Sequence, residues 1–155
     1  MFRIEPIAFV HSSRTELKDD DWESVSASIE LAPGIDLEAL DGIEAFSHAE
    51  ILFHFDQVDE ARIVWGARHP RGNPDWPRVG IFAQRGKDRP NRIGSTIVAI
   101  LGREGPILRV TGLDAVNGTP VIDIKPVMQE FLPRGPVRQP DWSHELMRDY
   151  WQARE

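Results

Sequence analysis

The densest gathering of chemically capable side chains is Gly80-Ile81-Phe82-Ala83-Gln84-Arg85-Gly86-Lys87-Asp88-Arg89-Pro90-Asn91-Arg92-Ile93-Gly94. Between Arg85 and Arg92 it sets four cations among Gly86, Pro90 and Asn91. Glycine and proline restrict the shapes such a loop can take, so its side chains meet a ligand with little conformational freedom left to lose. The guanidinium fork matches phosphate oxygens. The segment predicts a rigid, anion-facing loop, with Arg89 and Asn91, on either side of Pro90, as the substrate-positioning residues.

The cationic character reaches further back. From Arg62 to Arg92 there are eight cations against two acids, Asp75 and Asp88, whereas the remaining residues carry 10 cations and 23 acids and the whole chain has a net charge of −7. One basic stretch in an acidic chain predicts a polyanion-binding surface confined to that stretch, because the acidic remainder repels the same partner. A merely solvated, arginine-rich loop is the plainer alternative.

Two smaller groupings also carry chemistry. Along Ser47–Phe55, Ser47, Ala49, Ile51, Phe53 and Phe55 share one face of a strand and His48, Glu50, Leu52 and His54 the other. Two imidazoles and a carboxylate on one face could hold a divalent metal, but the spacing matches no strong metal motif and reads first as a polar strand face or a subunit contact. Asp114 stands just ahead of the turn dipeptide Asn117-Gly118, where it either meets a ligand hydroxyl or amine or simply caps the turn. His54 and Asp114 are the two side chains placed to act as a base.

The elements that must hold these residues read mainly as strands. Short or alternating apolar runs bounded by turn residues predict strands at Ile4–Val10, Ser24–Leu31, Ser47–Phe55, Ile63–Ala67, Val79–Ala83, Ser95–Leu101, Ile107–Thr111 and Val121–Ile124. Gly102–Pro106 reads as a hairpin loop and Asn117-Gly118 as a tight turn between two strands. The Pro/Gly-rich run between Ala67 and Val79 reads as an exposed loop. Asp36–Leu40 predicts a short helical turn. A longer helix is expected from Asp141 to Ala153, with Asp141 as its cap and Trp142, Leu146, Met147, Tyr150 and Trp151 as an apolar stripe.

Many short strands and little helix predict a mostly-β fold, a small barrel with a C-terminal helix, in one domain spanning residues 1–155. The apolar fraction of 41% is that of an ordinary globular protein. With no cysteine there is no disulfide and no thiolate metal site. No apolar run approaches the length that crosses a bilayer and no signal peptide is evident, so a cytoplasmic protein is expected. No Gly-x-Gly-x-x-Gly follows a strand, which disfavours a Rossmann-type nucleotide site.

Three blocks together resemble one family. Gly80–Gly94 is similar to a "GVFATR…RPNPIG" block. Asp41-Gly42-Ile43-Glu44-Ala45-Phe46-Ser47-His48, running into Ile51-Leu52-Phe53-His54-Phe55, is similar to "GLEAFSHLWILF.F". Leu113–Pro126 is similar to "LD..DGTPV.DIKPY". In this order they mark the TrmO (TsaA-like, YaeB) family of tRNA methyltransferases, across Asp41–Pro126. The resemblance implies a single-sheeted β-barrel that binds S-adenosyl-L-methionine (SAM), dimerises, and methylates N6 of threonylcarbamoyladenosine beside the tRNA anticodon. By motif position it assigns cofactor binding to Asp56, Gln57, Arg85, Leu113, Asp114, Ala115 and Val116, and assigns no metal. The departures mark a divergent branch. The family's Pro-Arg-Gln element has no counterpart between His11 and Trp22, where Asp19, Asp20 and Asp21 stand. Asp56-Gln57 replaces His-Gln, Arg92 the second proline of "RPNP", and Val127 the tyrosine of "DIKPY". Other readings of the same residues are a non-catalytic RNA- or SAM-binding barrel, a methyltransferase with another substrate, or a metal-dependent hydrolase built on His48, Glu50 and His54.

Overall fold

In the computed structural model, which describes residues 1–152, six strands close into an antiparallel barrel. They are β1 (Ala8–Ser12), β2 (Ser26–Leu31), β3 (His48–His54), β6 (Ile93–Glu104), β7 (Ile107–Thr111) and β8 (Pro120–Pro126), in the cyclic order β1-β2-β7-β6-β3-β8. β4 (Ala67–Arg68) and β5 (Val79–Gly80) form a separate two-stranded ribbon within the long β3–β6 connection. The expected mostly-β barrel is the observed fold.

Alternation decides which side chains fill it. Ala49, Ile51 and Phe53 of β3 point inward with Val10, Ile29, Val98, Leu108, Val110 and Val121 from the other strands, all essentially solvent-free. Fully burying a side chain of this size contributes about 1.5–3 kcal/mol, so the wall and its filling hold one another. Gly94 is required by that filling, since a Cβ there would lie 2.5 Å from the Phe53 ring and 2.8 Å from Phe55.

Strand register sorts the connections between two ends. Ser12 pairs with Ala27, Ser26 with Thr111, and His54 with Ile93, so the β1–β2, β3–β6 and β7–β8 connections emerge together. The opposite end carries the Ala32–Ser47 connection and the two-residue Gly105-Pro106 turn. There Gly105 adopts φ +56°, a backbone such hairpins need.

Several local readings need correction. Ile63–Ala67 and Val79–Ala83 supply only Ala67 and Val79–Gly80 to strands, since short 3-10 turns and the neighbouring prolines break the pairing. The first strand begins at Ala8 rather than Ile4. The turn after Asp36 is a 3-10 helix, Leu37–Leu40, and Asp36 accepts from the Glu38 amide. The terminal helix, α1 (Asp141–Leu146), is barely two turns long. Pro140, not Asp141, occupies its cap position, and the chain then passes through turns to Tyr150. Trp142, Leu146, Met147 and Tyr150 are half-buried, Tyr150 beyond the helix and packed on Trp22, Val25 and Val116, and Ala153 lies outside the described residues.

Candidate functional site

Every residue assigned a binding or catalytic role lies at or next to the barrel end from which the three long connections emerge. Asp56 and Gln57 follow β3 and are exposed. Leu113, Ala115 and Val116 follow β7 and are buried, Leu113 and Ala115 in the barrel core and Val116 against Trp22 and Val25, while Asp114 between them stays partly open. Arg85 donates from its guanidinium to the Ser95 carbonyl at 2.5 Å. The next residue, Thr96, donates its hydroxyl to Asp114 Oδ1, and the Tyr150 hydroxyl donates to Oδ2. Asp114 is therefore not a cap for the Asn117-Gly118 turn. That turn is closed instead by the Thr119 amide and hydroxyl, both donating to the Val116 carbonyl.

The basic loop owes its rigidity to a small polar core. Arg68 forms an ion pair with Asp88 at 2.9 Å, and Asp88 is 6% exposed. The buried Gln84 amide donates to the carbonyls of Arg68 and Val79 at 3.1 and 3.0 Å. Gly86 lets the Arg68 guanidinium pass so close that a Cβ would lie 2.5 Å from it. Arg89 donates to the Gln84 carbonyl at 2.6 Å, and burial first, then neighbouring Arg85, lowers its pKa. Asn91 and Arg92 adopt φ +63° and +50°, left-handed backbone that costs a non-glycine residue about 1 kcal/mol or more and is characteristic of functional loops. Asn91 projects to solvent, while Arg92 donates to the Val58 carbonyl at 2.8 Å and pairs with Glu60 at 3.6 Å.

The eight cations of Arg62–Arg92 are thus not equivalent. Arg68 is internal scaffolding. Arg71 pairs with Asp20 at 3.0 Å, and Lys87 reaches Asp19 at 3.6 Å. Asp19 and Asp20 thus fold against the basic stretch and neutralise part of it, while Asp21 pairs with Lys18. Arg62, Arg78 and Arg85 have no ion-pair partner among the described residues and form the exposed cationic surface.

His48, Glu50 and His54 face outward along β3 but do not assemble into a ligand set. Ser47 bonds His48 Nδ1 at 2.6 Å, Ser95 donates to Glu50 at 2.8 Å, and no cluster of three metal-ligating side chains occurs among the described residues. Burial, followed by Arg92, lowers the His54 pKa below its ordinary 6.5 against a smaller opposing effect of Asp56, so its imidazole is neutral at pH 7.

Residues missed in the sequence are Thr96, Tyr150, Trp22 and Arg14. The Arg14 guanidinium stacks over the Trp22 ring at 4.1 Å and donates to the carbonyls of Asp20 and Asp21, shaping the acidic loop. Thr96 alone left a sequence signal, as a polar residue on the face of β6 that otherwise carries Gly94, Val98 and Ile100.

Fold and site together define a class: a small antiparallel barrel whose connections assemble a carboxylate and a basic loop at one mouth. The chain belongs to the family described as the tRNA-methyltransferase O N-terminal domain, which it matches over residues 12–131. It is 35% identical over 144 residues to a Pyrococcus abyssi protein named "Probable S-adenosyl-L-methionine-binding protein", covering 89% of this chain and 74% of that one. It is 42% identical over 104 residues to the tRNA (adenine(37)-N6)-methyltransferase of Escherichia coli, covering 63% of this chain but only 43% of that enzyme. The crystal structure of TrmO from P. aeruginosa superposes with a TM-score of 0.73 at 28% identity, over 92% of this chain and 62% of that one. The chain thus spans less than half the length of the E. coli enzyme.

Proposed function

We propose that this chain is a SAM-dependent methyltransferase acting on tRNA, and that its target is N6 of the threonylcarbamoylated adenine at position 37. One observation carries the reading: the candidate cofactor carboxylate, Asp114, and the basic loop are joined through Arg85, Ser95 and Thr96 at one barrel mouth. Family membership and the tRNA (adenine(37)-N6)-methyltransferases among the relatives support the substrate class.

The donor chemistry fits the cofactor. Asp114 offers a carboxylate for its hydroxyls or amine, Leu113, Ala115 and Val116 the backbone on either side of it, and Asp56, Gln57 and Arg85 polar contacts around the rim. When bound, SAM supplies an electrophilic methyl on a sulfonium. Arg89 and Asn91 hold the nucleophilic base for in-line approach, where positioning supplies much of the rate. Neutral His54 is the imidazole at this mouth able to accept the proton that N6 loses. Arg62 and Arg78 hold the RNA backbone.

As further parts of this reading, residues 1–155 act as one domain, in the cytoplasm, and as a homodimer. Ile93, Ile97 and Leu101 are exposed on the outer face of β6 and support a subunit contact there. Light scattering reads the dimer directly.

The test has two arms. S-adenosylhomocysteine at 100 times its dissociation constant stabilises a protein by about 2.7 kcal/mol, raising Tm by roughly 5–10 °C at this size. Mass spectrometry of tRNA nucleosides from cells with and without the gene then identifies the methylated base. A thermal shift without any change in tRNA marks a different methyl acceptor. No shift at all leaves the non-catalytic barrel.

A further inference from the structure

β8 ends at the mouth opposite the site, yet the chain that follows it returns to the site. Three attachments fix it there. The Trp76 indole N–H donates to Glu145 at 2.9 Å. The Asp21 and Trp22 amides donate to the carbonyls of Asp149 and Tyr150 at 3.0 and 2.8 Å. The Tyr150 ring packs against Trp22, Val25 and Val116 and meets Trp151 edge-on. These contacts account for the docking of the tail. They do not account for the Tyr150 hydroxyl, which reaches past them to donate to Asp114 Oδ2.

That bond completes a grip. Thr96, buried in the barrel wall, holds Oδ1, and Tyr150 holds Oδ2, so the carboxylate is fixed from two independent elements. An ionised carboxylate has about four lone-pair sites, so roughly two remain for a ligand, in directions set by the two hydroxyls. Burial, then the charge of Asp114 and the bond to it, push the phenol pKa upward, so the hydroxyl remains a donor throughout the working range. The charges of Arg85 and Arg71 oppose that rise to a smaller degree.

We propose that Tyr150 is a positioning residue of the cofactor site, fixing the Asp114 carboxylate so that its free lone pairs meet the cofactor's hydroxyl or ammonium donors. The C-terminal tail is then part of the site rather than packing alone. The inference rests on Asp114 as a cofactor ligand, and its test separates the two claims.

The measurement is calorimetric titration of the full chain with S-adenosylhomocysteine, beside filter binding of tRNA and the unliganded Tm. Tyr150→Phe keeps the ring and removes the bond. It is expected to weaken S-adenosylhomocysteine about tenfold or more while tRNA affinity stays within twofold, as fits a hydrogen bond to a charged group. Thr96→Val weakens it similarly and Thr96→Ser restores it. A lower Tm with unchanged S-adenosylhomocysteine affinity overturns the proposal, since that is what packing alone predicts. Tighter binding by Tyr150→Phe also overturns it, because the tail is then a competitor for Asp114. Normal binding by Asp114→Asn defeats the reading of Asp114 itself. Weak binding by Asp114→Asn with normal binding by Tyr150→Phe defeats only the role of Tyr150. Tyr150 is the only tyrosine in the chain, so fluorotyrosine labelling gives one fluorine signal without any mutation. That signal is expected to move on saturation with S-adenosylhomocysteine. A stationary signal overturns the proposal even if the Phe variant fails to fold.

Discussion

The two mouths of the barrel are closed by different physics. At the plain end the chain turns with glycines in left-handed conformation, Gly34, Gly42 and Gly105, and caps a 3-10 turn with Asp36. At the site end, left-handed backbone also falls on Asp21, Arg71, Asn91 and Arg92, all four of the positive-φ non-glycine residues described. The site end also contains the buried Arg68–Asp88 pair, whereas the arginine brace of the plain end, Arg103 with Asp41 at 2.7 Å, has its acid two-thirds exposed. Strain and buried charge persist where surrounding structure fixes side chains for a task, and relax to glycine where only a turn is needed.

The sharpest way to break this comparison is to cut both braces. Removing one partner of a buried ion pair costs about 3–5 kcal/mol, because the other charge is left uncompensated. Arg68→Ala is therefore expected to lower Tm by roughly 6–20 °C, at 2–4 °C per kcal/mol for a chain of this size. Asp41→Ala removes an exposed partner and is expected to cost less than about 1 kcal/mol. Equal losses in thermal melts would erase the distinction between the ends.

Backbone substitutions sharpen it further. Gly105→Ala forces a side chain into left-handed backbone and is expected to cost about 1–2 kcal/mol with turnover unchanged. Asn91→Gly relieves strain, so stability should move by less than about 0.5 kcal/mol, while turnover falls at least tenfold if the Asn91 side chain positions the base. Denaturant melts beside single-turnover kinetics separate the two outcomes.

These contrasts mark what was legible in the sequence. The inward face of β3, the Asp36 turn, the Asn117-Gly118 turn and the loop character of Arg85–Arg92 all follow from local rules of alternation, capping and turn chemistry. The pairing of Arg71 with Asp20 spans 51 residues and that of Tyr150 with Asp114 spans 36, and no local pattern encodes either. The basic stretch was readable as charge but not as partitioned charge, since the acids that neutralise Arg71 and Lys87 come from the β1–β2 connection. The terminal helix stops at Leu146 although apolar residues continue at helical spacing, because Tyr150 packs on Trp22, Val25 and Val116 from a run of turns.

That partition predicts graded electrostatics. Arg78→Ala is expected to weaken tRNA binding and reduce the salt slope by about one unit, as for a residue touching phosphate alone. Arg71→Ala should reduce it by less, because Asp19 and Asp20 already neutralise that guanidinium. Filter binding across a salt series reads both. The smallest effect concerns His54. Its folded pKa lies below 6.5, so the unfolded chain takes up that proton first as pH falls, and the stability present above pH 6.5 is lost on the way down. His54→Gln should therefore flatten the stability profile below pH 6.5, measured by denaturant midpoints.

The central claim, that one mouth of this barrel is the cofactor site, is tested most directly by amide chemical-shift mapping of the 155-residue chain during titration with S-adenosylhomocysteine. The account predicts that residues 12–22, 55–57, 84–96, 112–119 and 149–151 shift together and saturate, while 33–46 and 104–107 stay in place. Saturating shifts centred on 33–46 and 104–107, or no shifts at all, would contradict it.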